Sequence, residues 1–79
     1  MSRKENIEKV VSYLLEQIFF QERMVRDAKH QLEDAIADNE SEMHIKFRRR
    51  TVEKRENDLT KLREMLQFMQ ELHFEEESK

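Results

Sequence analysis

The chain has no cysteine, no glycine, no proline and no tryptophan among its 79 residues. Without cysteine there is no disulfide framework, no thiol nucleophile and no thiolate metal site. Without glycine there are no phosphate-cradling loops, nucleophile elbows or dinucleotide fingerprints, all of which need its backbone freedom. No run of about 18 apolar residues occurs, so no segment is expected to span a membrane. The first apolar segment is laced with Glu and Lys, unlike a secretory leader, and a cytoplasmic location is expected. A net charge of -3 is too small to mark an acidic tail or a generally basic nucleic-acid binder.

What is present is charge and helix propensity. Charged residues make up 42% of the chain against 37% hydrophobic, and β-branched residues never alternate as a strand requires. Ser2 and Glu5 have the spacing of a capping box, which satisfies orphan backbone donors at a helix start. From there a stripe recurs in steps of four and three: Ile7, Val11, Leu14, Ile18, Gln21, Val25, Ala28, Leu32, Ala35. Gln21 is its one polar interruption. The polar stretch Asp38–Glu42 follows, in which Asn39 and Glu42 again have capping-box spacing and Ser41 is a rival N-cap. A second stripe then runs Ile45, Arg48, Val52, Arg55, Leu59, Leu62, Leu66, Met69, His73.

With neither Gly nor Pro, one unbroken rod is sterically possible, but the register argues against it. Continued past Ala35, the first stripe would place Asn39, Glu42, Lys46, Arg49, Glu53 and Glu56 in the seam, a nearly all-polar core. The pattern therefore predicts an all-α, coiled-coil-like antiparallel hairpin forming a single domain over 1–79. Helix 1 is expected at about 3–37, a turn at about 38–41, helix 2 at about 42–74, and a frayed polar tail at 75–79. Such a turn pairs residues whose numbers sum to about 80, so that Leu14 meets Leu66, Ile18 meets Leu62 and Gln21 meets Leu59.

The open end carries more apolar side chains than one seam needs. Val10, Tyr13, Phe20 and Met24 form an extra stripe on helix 1, and Met65, Phe68 and Leu72 form one on helix 2. In an antiparallel pair these stripes flank the seam on the same side and merge into one surface. The opposite flank is mostly charged, with only Leu15 and Ile36 apolar. A two-helix layer buries little apolar area by itself, and small domains lacking disulfides or metals are stabilised by association. The expected outcome is a homo-oligomer, most simply a homodimer forming a four-helix bundle.

Two further patterns bear on function. The segment from Lys46 to Arg55 has six basic residues and one acid; Lys46, Arg48, Arg49, Arg50 and Lys54, with Phe47 to stack on a base, could contact nucleic acid. The competing reading is a solvated face with Glu42–Lys46 and Arg49–Glu53 helical pairs, with Arg48 and Arg55 laying their stems over the seam. The three histidines each have a carboxylate at helical spacing, but no second His shares a face, so no metal site and no cofactor is expected. The carboxylates are scattered along solvated faces, and no catalytic residue is expected. The sequence thus points to a non-catalytic protein-interaction module acting as a regulator, an adaptor, co-chaperone or inhibitor of a larger protein. A nucleic-acid-binding regulator using the basic band is the alternative.

Overall fold

The computed structural model describes residues 2–78, which form two long α-helices folded back on each other. The first, α1, runs Arg3–Ala37 and the second, α2, runs Glu42–Ser78. The hairpin is a narrow rod, 59 × 15 × 14 Å.

Both helix starts are capped by serine. Ser2 sits in extended backbone, and its Oγ accepts the Glu5 N–H at 3.1 Å while its carbonyl accepts the Asn6 N–H. Of the two candidate caps for α2, Ser41 takes the role, with its Oγ accepting the His44 N–H at 3.2 Å. Asn39 does something else. It adopts the left-handed backbone, φ 53°, as the residue just past the end of α1. The Glu40 N–H then donates to the Ala35 carbonyl and the Asn39 N–H to the Ile36 carbonyl, the paired bonds of a Schellman motif. Glycine usually fills that position; in a chain without glycine, Asn is the residue that enters the region at least cost.

The seam is the one the periodicity predicts. Every member of both stripes is buried or half-buried, and Ile18, Val25 and Leu59 form the central cluster with Leu62 and Leu66 against it. The contribution is unequal: α1 buries six residues, from Ile7 to Ala35, whereas α2 buries only Val52 and Leu59. Arg48 and Arg55 occupy seam positions on α2 and are half-buried. Cross-helix bonds between Arg48 and Gln31, and between His73 and Glu8, join residues whose numbers sum to about 80. Gln21 meets this seam by donating from Nε2 to the Arg55 carbonyl at 3.1 Å. That carbonyl is a part-buried acceptor, and a carbonyl oxygen has two lone pairs, one of them free beside its intrahelical bond.

One expected boundary shifts. The sequence predicts a frayed tail from Glu75, but α2 continues to Ser78, and of the tail Lys79 alone lies outside the described residues. The last turn is tied to the start of α1 by Arg3–Glu76 at 3.3 Å and Lys4–Glu77 at 3.6 Å. No glycine or proline is present to stop the helix sooner.

Candidate interaction surface

Along one flank of the seam the apolar side chains have nothing over them. Val10 is 41% exposed, Tyr13 59%, Phe20 57%, Met65 54% and Phe68 59%, while Met24 and Leu72 are half-buried. Val10 from α1 joins Met65 and Phe68 from α2 in one open groove, floored by Leu14 and Met69 and edged by Lys61 and Glu64. Helical spacing continues this groove along α1 through Tyr13 and Phe20. At ~200 Å² for a large side chain, the five most exposed members present on the order of 500 Å² of apolar surface. That lies within the range of the largest patches on monomers, which commonly mark interaction sites. It also approximates the apolar share of one side of a standard protein interface.

The other flank is closed by charge. Arg63 reaches Glu22 at 3.4 Å, Lys29 reaches Glu56 at 3.3 Å and His73 reaches Glu8 at 3.1 Å, each bridging the two helices. Leu15 and Ile36, the two apolar residues there, are 50% and 46% exposed and stand 21 positions apart (36 minus 15).

Toward the turn, the basic band divides. Phe47, Arg48, Arg50 and Lys54 line a single shallow groove with Thr51 and Arg55, whereas Lys46 and Arg49 do not line it. Arg48 is already committed: Nη1 donates to Gln31 Oε1 at 2.8 Å, and its buried Nε has no hydrogen-bond partner among the described residues. Gln31 was not singled out in the sequence, although the pairing rule that sets Leu14 against Leu66 also sets it against Arg48. The Glu42–Lys46 and Arg49–Glu53 pairs are not formed among the described residues, and Arg50 and Lys54 likewise make no ion pair there.

The histidines each approach a carboxylate, two within one helical turn and His73 also across the hairpin. His44 approaches Glu40 at 3.6 Å, His30 approaches Glu33 at 3.7 Å, and His73 lies between Glu8 and Glu77. Among the described residues no group of three or more His, Asp or Glu is placed to hold a metal ion. No helix is long and apolar enough to cross a membrane. Compared with known proteins, the chain matches no family model, no curated protein and no solved structure.

Proposed function

We propose that this chain is a small non-catalytic protein-interaction module that self-associates through the apolar face of Val10, Tyr13, Phe20, Met24, Met65, Phe68 and Leu72. In this reading it serves as an adaptor, co-chaperone or inhibitor of a larger protein. The observation that carries it is the exposure of that face beside a thin core. Five of its large side chains are 41–59% exposed, while eight hydrophobic residues are buried among the described residues. A pair of helices with so small a core gains more from covering 500 Å² of apolar surface, on the order of 10 kcal/mol gross at ~25 cal/mol per Å², than from any ion pair on its surface. The grooves among the described residues are open troughs along the rod, a shape suited to docking another surface.

The test is the mass of the purified protein by sedimentation equilibrium, with thermal melts across a hundredfold range of concentration. A dimer whose melting temperature rises with concentration is expected. A monomer at all concentrations with a concentration-independent melt would overturn the reading.

A second reading, nucleic-acid binding, rests on the groove that gathers Phe47, Arg50 and Lys54, two of them cations without an ion pair among the described residues. Its signature is retention on RNA or DNA that falls steeply with salt.

A further inference from the structure

We propose that the second copy docks on the apolar face with its turn pointing the opposite way, so that α1 lies on α1 and α2 on α2 about a twofold axis at Gln17. This rests on the self-association reading above and specifies its geometry.

The argument begins with the order of side chains along the exposed face. On α1 the face reads Val10, Tyr13, Gln17, Phe20, Met24, in steps of three and four. That order is close to a palindrome. Reversed on itself, it sets Val10 against Met24, Tyr13 against Phe20, and Gln17 against its own mate. A twofold axis across the face requires just such self-complementarity, since each residue must meet its partner's reversed counterpart. The same axis carried across to α2 falls beside Met65, because the hairpin register brings Gln17 level with the Glu64–Met65 turn. Met65 then meets Met65 of the second copy, and Phe68 lies over the stem and ammonium of Lys61, a cation–π contact.

The opposite choice, with both turns at one end, is poorer. It stacks α1 on α2 at equal levels, so Val10 meets Leu72 and Tyr13 meets Phe68. Gln17 then faces Met65, however, which leaves a half-buried amide against a thioether, a poor acceptor. Burying a polar side chain without a partner is unfavourable. On the proposed axis, the two Gln17 amides can donate to and accept from each other.

Charge agrees at the edges of the patch. Glu75 follows Phe68 by seven residues, at the same helical position, so reversal carries it over Lys54 of the second copy. Both are exposed and neither makes an ion pair among the described residues. The occupant of the Lys54 edge of the basic groove is thus the C-terminal end of another copy of this chain.

A charge swap tests this. Lys54→Glu and Glu75→Lys should each weaken the dimer several-fold, and the double variant should restore it, because each new Glu then meets a new Lys. With both turns at one end, the same register would set the new Glu against Asp27 and the new Lys against the uncharged Asn6, and the double variant would dimerise no better than Lys54→Glu alone. Geometry supplies a second readout. The chain has no cysteine, so Met43→Cys, 82% exposed beside the turn, takes one spin label cleanly. Met43 lies about 20 residues of helical rise from the axis, so the antiparallel dimer separates the labels by ~60 Å. Turns at one end would bring them within ~25 Å. A dimer with close labels, or one the swap fails to rescue, overturns the proposed docking while sparing self-association. A dimer indifferent to Lys54→Glu that loses salt-sensitive RNA retention overturns it in favour of a nucleic-acid groove. Monomeric mass overturns both readings together.

Discussion

Positions immediately beside the seam on one flank are filled by Glu22, Lys29, Glu56 and Arg63, which close over it as two cross-helix ion pairs. The matching positions on the other flank are filled by Val10, Met24, Met65 and Leu72, which close over nothing. The two flanks lie at equal depth on the same pair of helices, so the difference is one of chemistry and not of fold. Charged stems can cover a seam and still keep their heads in water, which suits an edge that stays solvated. Apolar side chains in the same place leave a helix pair incomplete. One flank is covered by its own cross-helix ion pairs, and the other leaves large apolar side chains exposed.

The largest expected effect comes from putting charge on the open flank. Phe20→Glu with Phe68→Glu would bury unpaired carboxylates in any interface formed there, at several kcal/mol. The mass should fall to that of a monomer, helicity should drop, and the melting temperature should fall by roughly 10 °C or more. Sedimentation and circular dichroism read both. The matched change on the basic band, Arg49→Glu with Arg50→Glu, should leave mass and helicity nearly intact. An oligomer of unchanged mass in the Phe pair would transfer the interface to the Leu15 and Ile36 flank.

Next in size is the seam beneath both flanks. Leu59 is buried in the central cluster with Ile18 and Val25, so Leu59→Ala leaves a cavity and should cost ~2–5 kcal/mol by denaturant titration. Because the seam serves both flanks equally, the loss should not depend on which of them associates. If Leu59→Ala melts as the unaltered protein does, the hairpin core is placed wrongly.

A smaller change, of opposite sign, is expected at Gln21. Its amide donates to the Arg55 carbonyl in a seam that is otherwise apolar on α1. The Arg55 carbonyl keeps its intrahelical bond when the amide is removed, so little is left unsatisfied. Gln21→Leu should therefore raise stability by ~1 kcal/mol through apolar burial. A fall in melting temperature, or a change of mass, would show that the side-chain bond fixes register.

The smallest effect belongs to the charged flank. Arg63→Ala removes an exposed pair with Glu22 and should cost less than ~1 kcal/mol, shrinking further in high salt. A loss comparable to that of Leu59→Ala would mean the ion-paired flank is also buried against something.

The phase break between Ala35 and Ile45 was enough to read a hairpin, because a one-residue slip in a helical stripe turns an apolar core into a polar one. The same periodicity placed the exposed face. Val10 and Met24 lie seven-residue multiples apart beside the seam, and an antiparallel pairing rule carries them to Met65 and Leu72. The cap of α2 was ambiguous, since Asn39 and Ser41 are both good N-caps. Only the turn geometry, which puts Asn39 in the left-handed region, assigns the cap to Ser41. The end of α2 was misjudged because Glu75–Lys79 is locally polar, and local composition does not register that Arg3 and Lys4 arrive beside it.

By itself, then, the sequence determined the two helices, the turn between them, the seam and the apolar flank, because each follows from side-chain spacing along a helix of known period. Tertiary structure alone decided which side chains of the basic band stay available. Arg48 is drawn onto Gln31, Lys46 and Arg49 fall outside the groove, and Arg50 and Lys54 are left at its edge. It also decided that Gln21 finds a backbone carbonyl and that the C-terminal turn is held. These are contacts between residues distant in the chain, made by flexible side chains, and their outcome depends on what the second helix brings within reach.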